Sequence, residues 1–459
     1  MNKIMAIAGL TWKSAFRYRL FWILAVLLLA AVVGLPLVLK DDGTAKGLAQ
    51  ILLTYTLSAV ATLLGVATLW LSCGTLAKDV EECQMQVVAV KPIARWQIWI
   101  GKWLGLLSLD ATLLALAGAA IFSLLHWRAS HLPAAEQKIL HDEIFIARAG
   151  IKDQIPDLTK KIDALMNRRV KGRPTDYTAD ELVELRQQAK ALVIAGETEV
   201  PPGYPKRWGI DLSTLRDHLG QRPLQLRVKF HTAKPNPDQR YETGWIVGPT
   251  NSSQRIGIEQ NLPPDSFQEF EIPTLLDDKG ILWIDFINPN DVAVAFPLEE
   301  GFELLYPEST FGINFVRGMG VLFCWLALLA AIGLAMASFL SFPVASFASL
   351  ALLIMGLSSS VVSSVVEQGT ITGYDAAKAG YGHSPVDLII VPVFQGALKI
   401  IKLVESFSPI DDLSSGMSIT WGELGLAVAQ IILLLGGFFC VFGIILFTRR
   451  ELATAQGNN

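Results

Sequence analysis

The chain has 459 residues, of which 52% are hydrophobic and only 17% carry a charge, with a mean hydropathy of +0.42. Soluble globular domains carry about 25% charged residues, so this composition excludes a wholly soluble protein and a disordered one. The net charge of −4 argues against a nucleic acid as partner, because binding to phosphates requires clustered Lys and Arg.

Charged residues are concentrated in the middle of the chain. Residues 128–311 hold 22 of the 38 Lys and Arg and 28 of the 42 Asp and Glu, so a polar block separates two apolar regions. A bilayer core is spanned by about 20 apolar residues, and six runs meet or nearly meet that length. The predicted spans are Leu20–Leu39, Ile51–Leu76, Trp103–Trp127, Gly318–Leu340, Val344–Val366 and Leu424–Phe447.

Lys and Arg in the short loops predict the orientation of these spans, because such residues favour the cytoplasmic side. With the N-terminus inside, the inner segments hold more of them, and closer to the apolar runs. We therefore expect a multi-pass protein of the cell (inner or plasma) membrane with both termini in the cytoplasm. Residues 1–19 would form a cytoplasmic interface helix, 20–127 the first three spans, and 312–459 the last three.

The polar block is predicted to be an extracytoplasmic α+β domain. Apolar residues at roughly helical spacing and a capping box that opens at Thr178 indicate a helical hairpin over residues 128–207. Short alternating segments separated by turns indicate a β-sandwich over residues 208–311. Four aromatic residues could form a binding face there, although core packing is the favoured interpretation for the last of them: Trp208, Tyr241, Trp245 and Trp283.

Two features of the apolar regions invite a functional interpretation. Asp110 lies inside the third predicted span, where a carboxylate is costly. It could line a translocation path or take up protons, or it could pair with Lys102 two turns away. Residues 381–412 are too short and interrupted for a clear span, and we expect an outer re-entrant or interfacial helix there, because a seventh span would place Arg449 and Arg450 outside.

The predicted cytoplasmic loop 77–102 carries the most information. It contains an acidic stretch, Asp79-Val-Glu-Glu82, then an apolar helix, then Pro92-Ile-Ala-Arg95, and finally Gly101-Lys102 at the start of the third span. This order resembles the cytoplasmic loop of ABC-2 type transporter permeases, the membrane components of export systems. Cys83-Gln84 departs from that pattern, which often has Gly-Thr or Gly-Ser there. The resemblance covers the apolar parts, somewhat over half of the chain.

The resemblance implies a role for particular residues. This loop would dock on a separate cytoplasmic ABC ATPase subunit, through Asp79, Glu81, Glu82, Lys91, Pro92, Arg95 and Trp96. The chain has no phosphate-binding Gly-x-x-x-x-Gly-Lys-Ser/Thr motif, so ATP would be bound and hydrolysed by that partner, and we expect no cofactor and no enzymatic activity in this chain. A second permease half, identical or different, would complete the transporter.

Two other classes of function remain open at the sequence level. The chain could be a non-transporting membrane protein whose outer domain is a sensor, scaffold or binding module, but an anchor needs one span and no paired inner helices. A membrane enzyme ranks last, because no Ser/His/Asp, Cys/His or paired-carboxylate arrangement singles itself out.

Overall fold

The computed structural model describes residues 2–17, 20–38, 44–81, 93–140, 145–152, 157–170, 179–219, 224–232, 239–250, 255–298, 300–371, 374–375, 380–381 and 386–450. The chain divides into two compact units. The helical unit comprises Met1–Ala147 and Ser309–Asn459, and the sheet unit comprises Arg148–Glu308. The polar block of the sequence therefore does form a separate sheet-containing region.

The helical unit contains four helices that are long and apolar enough to cross a membrane. They are Ala45–Glu81 (α3), Arg95–Ala129 (α4), Phe311–Ala337 (α9) and Trp421–Arg449 (α14), the last with a π-helical segment at Val428–Gly436. Two further pairs of helices pass the same test only when each bent pair counts as one span. The number of candidate spans in the described residues is thus four to six.

The first bent pair covers the predicted interface helix and the first predicted span, and the second covers the fifth predicted span. Asn2–Arg17 (α1) and Leu20–Val38 (α2) are inclined by 66°, and Phe342–Leu357 (α10) and Ser359–Gln368 (α11) by 71°. The fifth predicted span, Val344–Val366, therefore consists of two helices with a bend between them. Ser358 leaves the helical region, with φ −100° and ψ 33°, at the start of a run of three serines, a residue type that disfavours helix interiors because its hydroxyl can compete for backbone hydrogen bonds.

The remaining helices of this unit are short or amphipathic. Asp387–Glu405 (α12) falls within the segment predicted as re-entrant or interfacial, and its first turn and middle expose Leu388, Ile389 and Val393 while Leu398 is buried. Its four charged residues, Asp387, Lys399, Lys402 and Glu405, keep it from being a candidate membrane span. The others are Ala134–Ile139 (α5) and Pro409–Ser415 (α13), with a two-stranded ribbon of Tyr374–Asp375 (β12) and Gly380–Tyr381 (β13).

The predicted interface helix packs closely against α4. Ile7, Thr11 and Ala15 recur every fourth residue on α1 and are all buried. A Cβ added at Gly105 of α4 would lie 2.7 Å from Thr11 Cβ and 3.0 Å from the carbonyl oxygen of Ala8. The absence of a side chain at this position therefore lets the two helix backbones approach.

This contact predicts opposite effects for the same substitution at two helical glycines. Gly9→Ala on α1 meets no atom within 4 Å and should be neutral or stabilising, because Ala is favoured over Gly in helices by about 1 kcal/mol. Gly105→Ala should lower the melting temperature of the detergent-solubilised protein and increase hydrogen exchange in α1. Equal effects of the two variants would contradict the close packing.

The sheet unit begins with elements that only partly match the predicted hairpin. Thr159–Val170 (α6) and Ala179–Thr198 (α7) pack together, with an ion pair between Arg186 Nη2 and Asp163 Oδ1 at 3.1 Å. The predicted cap Thr178 lies outside the described residues. Residues 146–152 are a strand (β1, Ile146–Lys152) where helical spacing was expected. A short apolar pattern does not separate helix from strand, and Gly150 disfavours a helix.

Two four-stranded sheets form the rest of this unit. The first has the order β1-β11-β4-β8 and the second β3-β9-β6-β7, and their inner faces share one hydrophobic cluster, as a two-layer sandwich requires. In the first sheet, β1 is followed by Phe302–Thr310 (β11), Leu224–Val228 (β4) and Gln268–Ile272 (β8). The second sheet consists of Pro205–Asp211 (β3), Ile281–Ile287 (β9), Tyr241–Val247 (β6) and Ile256–Leu262 (β7). Glu199–Val200 (β2), His231–Thr232 (β5) and Val294–Ala295 (β10) form a small third sheet, and Arg216–Leu219 (α8) is a single helical turn.

The four aromatic residues considered for a binding face lie partly in the core and partly at the surface, but not as expected. Trp208, Tyr241 and Trp245 are 4%, 3% and 1% exposed and belong to the core. Trp283 is partly exposed, because Leu282, Ile284 and Phe286 point inward from β9 and the alternation of a strand turns its neighbours outward. The assignment of Trp283 to the core is therefore wrong, and the other three do not form an exposed binding face.

Asp285 shares the outer side of β9 with Trp283 and is held by two arginines. Arg207 Nε donates to Asp285 Oδ1 at 2.6 Å and Arg207 Nη2 to Oδ2 at 2.9 Å, while Arg255 Nη2 donates to Oδ2 at 2.6 Å. Burial alone raises the pKa of the Asp285 carboxyl, but the hydrogen bonds and charges of the two arginines outweigh it and lower that pKa. Asp285 is therefore ionised at neutral pH.

This arrangement predicts a loss of local stability in acid. Because the pKa of Asp285 is lower in the folded state, its contribution is complete above the unfolded pKa of about 3.9 and disappears as the pH falls through the folded pKa. Hydrogen exchange of the β9 amides, corrected for intrinsic rates, should show a fall in protection below about pH 4 that is smaller in Asp285→Asn. An equal fall in both proteins would assign the effect to other carboxylates.

Candidate functional site at the α3–α4 connection

The residues that end α3 and begin α4 belong to the predicted coupling loop. Lys102 is buried, and its Nζ donates to Asp79 Oδ2 at 2.5 Å and to the carbonyl oxygen of Thr75 at 2.6 Å. A buried ammonium requires such compensation, because its removal from water is costly. Asp79 therefore neutralises a lysine of this chain and fastens α3 to α4.

Glu81 connects the end of α3 to the start of α10. Its Oε1 accepts a hydrogen bond from the backbone N–H of Phe342 at 2.8 Å, at the first residue of α10. A carboxylate at this position satisfies an amide that has no partner inside the helix and interacts favourably with the helix dipole. The ammonium of Lys78 lies 4.7 Å from the centroid of the Phe342 ring, which adds a second contact between the same helices.

The guanidinium of Arg95 caps the C-terminal end of α14. Its Nη1 lies 2.8 Å from the carbonyl oxygen of Phe447, 2.9 Å from that of Thr448 and 2.7 Å from that of Arg450. The last carbonyls of a helix lack partners within it, and a cation there also complements the helix dipole. The neighbouring Trp96 makes no such contact with the described residues and is 45% exposed.

The structure thus brings Asp79, Glu81 and Arg95 to one end of the helical unit. Glu82, Lys91 and Pro92 lie outside the described residues. Beneath the three contacts lies one hydrophobic cluster to which α1, α3, α4, α9, α10 and α14 all contribute: Ile7, Leu76, Trp99, Leu334, Ala345 and Phe447. The two ends of the undescribed connection 82–92 are therefore each fixed to several helices.

Asp110 lies deeper in the helical unit, between α3 and α4. It is 2% exposed, and its Oδ1 accepts a hydrogen bond from Thr68 Oγ1 at 2.9 Å. Its Oδ2 has no hydrogen-bond partner among the described residues. The alternative of a pair between Asp110 and Lys102 is wrong, because Lys102 is directed to Asp79.

A double-mutant cycle should measure the dependence of Asp110 on Thr68. Thr68→Val removes the hydroxyl that donates to the carboxyl, whereas Asp110→Asn removes the charge and keeps the shape. The loss of unfolding free energy caused by Thr68→Val should therefore be larger with Asp110 present than with Asn, with a coupling of about 1 kcal/mol or more. Additive losses would show that the Thr68–Asp110 contact contributes nothing.

A buried arginine stabilises the first part of α9. Arg317 directly precedes the predicted span Gly318–Leu340, but the structure places it inside the helix, where its Nη1 donates to the carbonyl oxygen of Ile419 at 2.9 Å. Its guanidinium lies 4.8 Å from the centroid of the Trp421 ring. An arginine near the start of a long apolar helix was the available signal, because such a residue needs a partner inside the protein.

Neither metal ligation within the described residues nor similarity to a known protein adds to these contacts. The described residues contain no group of three or more His, Cys, Asp or Glu placed to hold a metal ion. Comparisons with protein-family models, with curated proteins and with solved structures find no match to this chain. The residues and contacts of this chain alone therefore bear on its function.

Proposed function

We propose that this chain is one membrane half of an ABC transporter, which couples ATP hydrolysis by a separate cytoplasmic ATPase subunit to substrate movement, with export as the expected direction. The observation that carries the proposal is the convergence at the α3–α4 connection. Glu81 reaches α10, Arg95 reaches the end of α14, and Lys102 reaches α3, so both ends of the connection are linked to the rest of the helical unit.

This linkage is what a coupling element requires. A force that an ATPase applies to the segment between Glu81 and Arg95 would pass through ion pairs and helix caps to at least four helices, instead of being lost in a flexible loop. The long apolar helices supply the membrane part of such a machine. A second permease half and the ATPase remain the partners that the proposal requires.

The contacts also qualify the roles proposed for individual residues. Asp79, Glu81 and Arg95 are all engaged inside the chain, so replacing any one of them would disturb the helical unit as well as a docking surface. Trp96 is 45% exposed, which suits a residue that meets a partner. Asp110 remains a candidate for the translocation path, because a buried carboxyl with one oxygen unpaired among the described residues is otherwise costly.

The alternative, a non-transporting membrane protein with an outer binding module, makes no use of these helix-to-helix links. A sensor or scaffold needs its membrane part only as an anchor. The two functions differ in whether a nucleotide-binding protein copurifies and whether its activity depends on this connection.

Charge reversal at the connection should release the ATPase. Glu81→Lys combined with Glu82→Lys removes two negative charges and adds two positive ones, and we expect loss of the copurified ATPase and of its stimulation. Glu81→Ala with Glu82→Ala is the matched control, because it removes the acceptor of the Phe342 N–H as the lysine variant does but adds no positive charge, and we expect it to retain the ATPase, since an exposed charge pair contributes only about 1 kcal/mol or less.

A second control reverses two exposed acidic residues of the sheet unit, Glu271→Lys with Asp278→Lys, and should leave the ATPase bound. The measurement is copurification from native membranes followed by ATP hydrolysis of the isolated complex. Full ATPase binding and stimulation in the Glu81/Glu82 lysine variant would overturn the coupling role. The absence of any nucleotide-binding protein from the unmodified complex would favour the anchor function.

A further inference from the structure

The strand β7 lies at the end of its sheet. The sheet has the order β3-β9-β6-β7, so β7 pairs with β6 on one side and with no described strand on the other. Natural edge strands are usually short, or are protected by lysine, proline or a bulge. Ile256–Leu262 has seven residues, pairs with β6 without a bulge, and contains neither lysine nor proline. This edge is therefore available for pairing with a further strand.

The other edge strands of the sheet unit are better protected. β3, at the opposite edge of the same sheet, begins with Pro205 and carries Lys206 and Arg207. The edge strands of the other sheet, β1 and β8, each carry two charged residues, namely Arg148 and Lys152, and Glu269 and Glu271. An added strand is thus expected at β7 before any of these.

The backbone groups of β6 show which groups of β7 are free. In an antiparallel sheet, successive residues of a strand direct their N–H and C=O groups to opposite neighbours. The N–H of Gly248, the residue after β6, donates to the carbonyl oxygen of Trp283 in β9 at 3.0 Å. Even-numbered residues of β6 therefore face β9, and odd-numbered residues face β7.

Gly257 and Glu259 direct their N–H and C=O groups to the open edge. Trp245 faces β7 and is opposite Ile258, so the backbone groups of Ile258 point to β6 and those of its two neighbours point away. Both neighbours are exposed, and a Cβ built on Gly257 meets no atom within 4 Å. Within the described residues, nothing covers the strand at Gly257.

The segment at this edge is complementary to a second copy of itself. Arg255-Ile-Gly-Ile-Glu259 has a glycine at its centre, an isoleucine on each side and opposite charges at its ends. If two copies pair antiparallel about Gly257, each isoleucine lies opposite an isoleucine, and Arg255 lies opposite the second copy's Glu259. An axis at Glu259 would instead place two carboxylates opposite each other, which is destabilising.

The same pairing would cover apolar surface that the chain leaves incompletely buried. Ile256 and Ile258 have the strand parity of Leu262 and point to the core side of the sheet. Leu262 is 7% exposed, whereas Ile256 is 46% exposed and Ile258 is partly exposed. Isoleucines of a second copy, directly opposite, would have their Cβ atoms about 5 Å away and would shield this end of the core from water.

We propose that β7 pairs with β7 of a second copy of this chain, antiparallel and centred on Gly257. The hydrogen-bonded pairs are Gly257 with its own copy and, on either side, Arg255 with Glu259, and together they supply about six backbone hydrogen bonds. Arg255 keeps its hydrogen bond to Asp285, so the register places opposite charges across the pair without requiring a new ion pair. The inference does not depend on the transport function, because it needs only a second identical chain.

The register is tested by cysteine cross-linking of the full-length protein in its membrane. Directly opposite residues of a hydrogen-bonded pair have Cα atoms about 5.5 Å apart, within the range of a disulfide. Gly257→Cys should therefore give a disulfide-linked dimer on mild oxidation that the unmodified protein does not give. Asn261→Cys is the matched control, because it is an exposed position on the same side of β7 that would lie about 27 Å from its copy, and it should give no dimer.

The role of the backbone is tested in the Gly257→Cys protein. Adding Glu259→Pro removes an N–H that β6 does not use and should abolish cross-linking, whereas Glu259→Gln keeps that N–H and should retain most of it. Thermal unfolding of the two detergent-solubilised proteins should be similar, which separates loss of pairing from loss of the fold. Cross-linking that persists with Glu259→Pro, equal cross-linking at Asn261, or no dimer with Gly257→Cys would overturn the proposal.

Discussion

The helical unit depends on the compensation of buried charge. Lys102 is buried, and its hydrogen bonds to Asp79 and to the Thr75 carbonyl oxygen offset the cost of removing it from water, as the hydrogen bond to the Ile419 carbonyl oxygen does for Arg317. Each such pair joins residues far apart in the sequence. The positions of the helices relative to one another within this unit are therefore set by a few polar contacts as much as by apolar packing.

The sequence predicts the parts of the fold that depend on local patterns and misses those that depend on contacts between distant residues. The four long helices follow from apolar runs of sufficient length, a local property. The run of serines after Leu357 indicates the bend, but the mean hydropathy of the whole segment does not reveal it. The cap that Arg95 provides for the last helix joins residues 352 positions apart, and no local pattern encodes such a contact. The strand at Ile146–Lys152 is likewise not predictable from local sequence, because it pairs with β11, which is distant in the sequence.

For the candidate sites, the residue types were predictable and their surroundings were not. The acidic and basic residues near the α3–α4 connection stand out in the sequence, yet only the structure shows that Asp79, Glu81 and Arg95 already have partners within the chain. Trp283 has the same strand parity as Asp285, and that signal would have placed it outside the core. The place of β7 at the end of its sheet depends on the order of the strands, which sequence spacing does not specify.

The π-helical segment of α14 has a consequence for how the last helix can respond to its neighbours. Over Val428–Gly436 the backbone hydrogen bonds reach one residue further than in an α-helix, so each residue there turns the helix through a smaller angle. If this segment changed to α-helical hydrogen bonds, the two halves of the helix would turn relative to each other about their common axis. The hydrogen bonds from Arg95 to the last carbonyl oxygens fix the C-terminal end of α14. The half that begins at Trp421 would therefore rotate, while the C-terminal half would stay in place.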